Sequence, residues 1–149
     1  MQNYPTIVSI EGNIGSGKST LVETLKDIFK SRSDICFLDE PVETWNSIQD
    51  KNGKNIIEKY YENQEKYAFS FQMMAYISRI SLLRKALKNS KNKLIITERS
   101  IFTDRNVFAK MLYDDDKIQE VEFVIYNKWF DEFINDIPDI NVIYLQVKP

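Results

Sequence analysis

The sequence predicts an α/β fold built on a parallel sheet, and three observations predict it. Short, apolar, β-branched runs alternate with longer stretches of helical periodicity. Glycine and proline are scarce, four of each in 149 residues, so there is little linker material. The polar residues best suited to chemistry fall directly after the strands, at the carboxyl ends where open parallel sheets bind ligands.

Taken in order, Thr6 to Ile10 is an apolar, β-branched run suited to a buried first strand. Glycines follow at once, and Ser19 to Lys30 then carries Leu21, Leu25, Ile28 and Phe29 on one helical face. Ile35 to Leu38 is a second buried strand. Gln64 to Lys88 is the longest helical pattern in the chain. Leu94 to Thr97 forms a third strand, and Ile101 to Tyr113 and Ile118 to Phe133 form two helices separated by the acidic turn Asp114 to Asp116. Asn141 to Gln146 is a fourth strand.

Composition narrows the chemistry. The length suits one domain, able to bury roughly 70% of its unfolded surface. Cys36 is the single cysteine and there is no histidine. Internal disulfides, histidine-dependent nucleophilic triads and zinc centres are thereby excluded, and the expected setting is the reducing cytoplasm. Proton transfer falls to carboxylates, lysines or tyrosines. A net charge of −2 argues against binding of duplex nucleic acid. No apolar run approaches the ~20 residues of a membrane span, so no membrane association is expected. The N-terminal MQNYPTIVSIEG lacks a basic leader and a long apolar core, so neither a secretory signal nor a transit peptide is expected.

Gly12-Asn13-Ile14-Gly15-Ser16-Gly17-Lys18-Ser19 matches G-x-x-x-x-G-K-[ST] between a predicted strand and a predicted helix. The glycines let backbone N–H groups close around phosphate oxygens, and the following helix turns its positive end toward the same anion. Lys18 is expected to reach the β- and γ-phosphates of a nucleotide, and the Ser19 hydroxyl to bind Mg2+.

The acceptor side is written in three further segments. Glu40-Pro41-Val42-Glu43-Thr44-Trp45 places a carboxylate after the second strand, where it can take a proton from an attacking hydroxyl, with Trp45 as a flat apolar wall. In the long helix Ala68, Gln72, Ala75 and Arg79 share one face, beside an apolar face of Phe69, Met73, Tyr76, Ile80 and Leu83. Gln72 can meet a nucleobase edge with donor and acceptor together. After the third strand comes Glu98-Arg99-Ser100-Ile101-Phe102-Thr103-Asp104-Arg105. There Asp104 can pair with Arg79, and Phe108, four residues further on, can stack on a base.

The segments GNIGSGKST, EPVETW, FSFQMMAYISRI, ERSIFTDRNVFA and IYLQVKP, in this order, resemble the deoxyribonucleoside kinases of the deoxycytidine/deoxyguanosine kinase type over nearly the whole chain. The resemblance implies a three-layer P-loop kinase fold with strand order 2-3-1-4-5, and ATP-dependent phosphorylation of a deoxynucleoside 5′-hydroxyl. It implies Glu40 as catalytic base, Arg99 and Lys18 as stabilisers of charge, and Ser19 with Glu98 as the Mg2+ site. The ATP phosphates fall to residues 12–20, through Thr20. The nucleoside falls to Glu40, Val42, Trp45, Ile57, Tyr61, Phe71, Gln72, Ala75, Arg79, Arg99, Asp104 and Phe108. In that assignment Gln72 reads the base edge, Phe108 stacks on it and Tyr61 meets the 3′-hydroxyl. The pair Arg79 and Asp104 matches members that accept cytosine or purine deoxynucleosides rather than thymidine, because a charged pair suits a polar base edge and a thymine methyl does not.

The family continues past the fourth strand with an arginine-bearing lid, a fifth strand and further helices, whereas this sequence stops at Pro149. The expectation is therefore a single kinase domain, residues 1–149, truncated before the lid. The long helices Gln64 to Lys88 and Ile118 to Phe133 offer apolar faces for a homodimer, as in the family. The alternative readings are a nucleoside monophosphate kinase and a non-catalytic nucleoside-binding or dimerising module.

Overall fold

A computed structural model describes residues 4–148. The chain forms β1 (Thr6–Gly12), α1 (Lys18–Ile28), β2 (Ile35–Leu38), α2 (Val42–Ser47), α3 (Ile56–Glu62), α4 (Gln64–Lys88), β3 (Leu94–Glu98), α5 (Ile101–Thr103), a π-helical segment (Asp104–Ala109), α6 (Lys110–Asp114), α7 (Glu120–Ile134) and β4 (Ile140–Leu145). The described residues group into two compact units, one of residues 4–40, 81–100 and 137–148, the other of residues 41–80 and 101–136.

The first unit holds a four-stranded sheet in the order β2-β3-β1-β4, with every pairing parallel. Side chains alternate along β1, so its two faces feed two cores. Ile7 packs with Ile95 against Leu83 and Ala86 from the last turns of α4. Ile10 packs with Ile96 against Val22 of α1. The result is helix, sheet, helix, the three-layer arrangement that buried parallel strands require. The strand order agrees with the expected 2-3-1-4.

The second unit is helical. Tyr60, Ala68, Leu112 and Ile118 form one of its cores, and Trp45, Ile56 and Ala75 another. The alanines of the Gln72 face are buried here, at 0% exposure for Ala68 and 5% for Ala75. Their small size admits Tyr60 and Trp45 against the α4 backbone.

The strands and long helices fall where the sequence places them, and Gln64–Lys88 agrees to the residue. Three features differ. The two short helices α2 and α3 lie where no helix is expected. Helix α3 is nevertheless signalled, because Asn55 and Glu58 form a capping box at its start. The predicted helix Ile101 to Tyr113 is not uniformly α. Its path widens between Asp104 and Ala109, where the N–H of Lys110 reaches back five residues to the Arg105 carbonyl. Finally, β1 and β3 run on to Gly12 and Glu98, since sheet pairing continues into the chemistry-bearing residues.

Candidate active site

In the first unit, three loops or strand ends gather at the carboxyl edge of the sheet. Residues 13–17 form the turn from β1 into α1. Gly12 is required there by close approach: a Cβ would lie 2.6 Å from Ser16 Oγ and 2.9 Å from the Leu145 carbonyl. Gly17 caps α1 with φ of +90°, a backbone conformation that other residues rarely adopt.

Lys18 is 5% exposed. Its Nζ donates to the carbonyls of Gly12 at 2.8 Å and Asn13 at 2.7 Å. The ammonium is thus folded into its own loop, satisfied by the backbone. Burial, and then the nearby Arg99 cation, hold its pKa below the ordinary lysine value, against the opposing pull of Glu98, Glu40 and Glu11. The Ser19 hydroxyl donates to Glu98 Oε1 at 2.8 Å across 79 residues of sequence.

Arg99 follows β3 with φ of +60°, a left-handed conformation unusual for a side-chain-bearing residue. Two hydrogen bonds hold it there. Its N–H donates to the Ile10 carbonyl at 3.0 Å, and its own carbonyl accepts from Thr97 Oγ1 at 2.9 Å. Strain so over-determined clusters at functional positions. The guanidinium Nη1 lies 3.6 Å from Glu40 Oε1.

The second unit carries a separate polar cluster. Arg79 Nε stands 2.9 Å from Asp104 Oδ2, both side chains at most one-tenth exposed. The Arg79 guanidinium lies 6.0 Å from the centre of the Trp45 ring. Trp45 itself meets Phe71 edge-on at 5.4 Å and donates from Nε1 to Ser78 Oγ at 2.9 Å. Gln72 is 6% exposed on the same helix as Arg79 and Ser78.

A sequence profile described as deoxynucleoside kinase matches residues 8–149. The chain belongs to the deoxynucleoside kinase family. It is 35% identical to human deoxycytidine kinase over 95% of its own length and 61% of that relative. It is 37% identical to a probable deoxycytidine kinase of fowlpox virus, covering 95% of this chain and 56% of the viral protein. It is 29% identical to the mitochondrial deoxyguanosine kinase of Xenopus laevis, over 95% and 59% respectively. The chain thus spans about three-fifths of the length of these curated relatives.

The structure brings Lys18, Ser19, Glu40, Glu98 and Arg99 into one unit, and Trp45, Phe71, Gln72, Ala75, Arg79, Asp104 and Phe108 into the other. Phe108 is half-buried on the π-helical segment. Val42 and Tyr61 are exposed, Tyr61 at 75%, and Ile57 packs partly buried beside Trp45 and Ile56. Asn13, Ile14, Gly15, Ser19 and Thr20 are exposed along the phosphate loop, and Ser16 is half-buried.

Sequence reasoning missed the residues that hold these groups. Ser78, the acceptor for Trp45, lies within α4 and donates back to the Met74 carbonyl, so nothing in its local pattern marks it. Thr97 reads only as a strand residue. The buried bond from Ser9 Oγ to Glu11 Oε1, 2.6 Å long, is signalled by their i, i+2 spacing, which places both on one face of β1. Among the described residues no helix is long and apolar enough to cross a membrane.

Proposed function

We propose that this chain transfers the γ-phosphate of ATP to the 5′-hydroxyl of deoxycytidine or a purine deoxynucleoside. The observation that carries the reading is the approach of Glu40 to Arg99, 3.6 Å apart in the same unit as Lys18. The Glu40 carboxylate takes the hydroxyl proton. The freed oxygen bonds to the γ-phosphorus as the bond to the bridging oxygen breaks, and ADP leaves with that electron pair. Lys18 exchanges its loop carbonyls for β- and γ-phosphate oxygens, and Arg99 holds the transferring group. A carboxylate at the acceptor position disfavours a nucleoside monophosphate, whose own phosphate would be repelled there.

Residues 12–20 cradle the donor phosphates. Ser19 Oγ and Glu98 Oε1, adjacent at 2.8 Å, are hard oxygens of the kind Mg2+ takes. No group of three or more potential metal-ligating His, Cys, Asp or Glu side chains occurs among the described residues. When bound, Mg2+ neutralises charge on the β- and γ-phosphates.

In the second unit, Gln72, Arg79 and Asp104 recognise a polar base edge. Phe108 stacks on the base, while Val42, Trp45, Ile57, Phe71 and Ala75 line the apolar side and Tyr61 meets the sugar. A homodimer is supported by α7, which buries Tyr126 and Phe130 on one side and exposes Val121, Val124, Ile125 and Trp129 on the other.

The test is to incubate the chain with ATP, Mg2+ and each of the four deoxynucleosides. Monophosphate formation from deoxycytidine or a purine deoxynucleoside, but not thymidine, is expected. Consumption of deoxynucleoside monophosphates instead would overturn the reading. Glu40→Gln should lower turnover by roughly 10²- to 10⁴-fold while ATP binding persists.

A further inference from the structure

The Tyr126 hydroxyl is the polar group that neither the fold nor the proposed chemistry explains. Tyr126 is 0% exposed, and its Oη makes no hydrogen bond among the described residues. A buried hydroxyl left so costs free energy, and phenylalanine would fill the same space without that cost.

Its surroundings converge on one place. The Tyr126 ring packs 6.0 Å from that of Tyr76 on α4, which sits one helical turn before Arg79. Phe130, one turn after Tyr126 on α7, stacks on Tyr76 at 5.1 Å and lies 3.9 Å beneath the Arg105 guanidinium. Arg105 adjoins Asp104, the partner of Arg79. The tyrosine is therefore buried in an aromatic cluster that touches both elements carrying the ion pair, α4 through Tyr76 and the π-helical segment through Arg105 on Phe130. Burial, and then the Asp104 carboxylate, push the phenol above its ordinary range, so it remains an O–H donor. Asp104 is the carboxylate whose charge acts on it. The π-helical segment that begins at Asp104 is a backbone form frequent at functional sites.

We infer that Tyr126 is a positioning residue for the Arg79–Asp104 pair, its hydroxyl donating to the Asp104 carboxylate when a base engages the pair. This rests on the proposed reading that Arg79 and Asp104 face the base. In the free protein the hydroxyl is held in reserve at a cost to stability, and on nucleoside binding it fixes the carboxylate orientation that discriminates between bases.

Tyr126→Phe separates this from a structural role. The variant should be as stable as the wild type or more so in thermal unfolding. It should bind deoxycytidine or the preferred purine deoxynucleoside roughly 3- to 10-fold more weakly by calorimetry, with ATP affinity unchanged. In an Asp104→Asn background the same change should have little further effect on nucleoside affinity. Equal nucleoside affinity in wild type and variant would overturn the inference alone, as would a parallel loss of ATP affinity. A wild type that binds no deoxynucleoside would overturn the functional reading, and the inference with it.

Discussion

Arg79 and Asp104, 25 residues apart in sequence, meet at 2.9 Å with side-chain exposures of 10% and 5%. An ion pair so enclosed contributes little net stability, because desolvating both charges offsets their attraction. Removing one partner is different, since it leaves an uncompensated buried charge. Asp104→Ala should destabilise the chain by roughly 3–5 kcal/mol in urea unfolding, whereas replacing both residues with apolar ones of similar volume should cost far less. A small cost for Asp104→Ala would show that water reaches the pair.

Gly12→Ala tests the phosphate loop through its geometry. The added methyl meets Ser16 Oγ and the fixed Leu145 carbonyl, which belongs to the neighbouring strand β4 and cannot retreat without breaking the pairing of Gly12 with Leu145. Overpacking of this kind should cost roughly 1–3 kcal/mol and weaken ATP binding at least as strongly. Thermal unfolding with and without ATP measures both.

The depressed pKa of Lys18 gives nucleotide binding a pH signature. In the free protein, burial and then Arg99 hold the lysine below its ordinary value of 10.5. Phosphate oxygens favour the ammonium, so binding raises the pKa and takes up a proton. Affinity for ATP should therefore fall as pH rises through the depressed free-state value. Calorimetry in two buffers of different ionisation enthalpy should record net proton uptake in that alkaline window. Lys18→Met should abolish the uptake. Uptake persisting in that variant would assign it to another group.

Cys36, in β2, packs with the core around Ile7 and Ile95, and burial pushes its thiol above the usual value. Little thiolate is present at pH 8, so alkylation of the native chain should be at least several-fold slower than of the unfolded chain. The same shift stabilises the fold fully below the unfolded-state pKa, and that contribution is lost as pH rises through the folded one. Iodoacetamide rates with and without denaturant provide the check.

Whatever depends on local spacing is legible in the sequence. The strand alternation, the G-x-x-x-x-G-K-S turn and the bounds of Gln64–Lys88 are set by neighbours within a few turns, so pattern alone reveals them. It also offered Glu40, Arg99, Arg79 and Asp104 as candidates: Glu40 and Arg99 follow strands, Arg79 shares a helix face with Gln72, and Asp104 shares one with Phe108. Tertiary structure alone decided who meets whom. The parallel order β2-β3-β1-β4 brings Ser19 to Glu98, and Arg99 to Ile10 in a left-handed conformation. The helices α2 and α3, six and seven residues long, are too short to announce themselves by periodicity and are held by the burial of Trp45, Ile56 and Tyr60. The burial of Tyr126 against Tyr76, 50 residues away in sequence, follows from packing between distant segments. Local propensity carries no information about such contacts, because their free energy arises only when desolvated side chains from separate elements share one space.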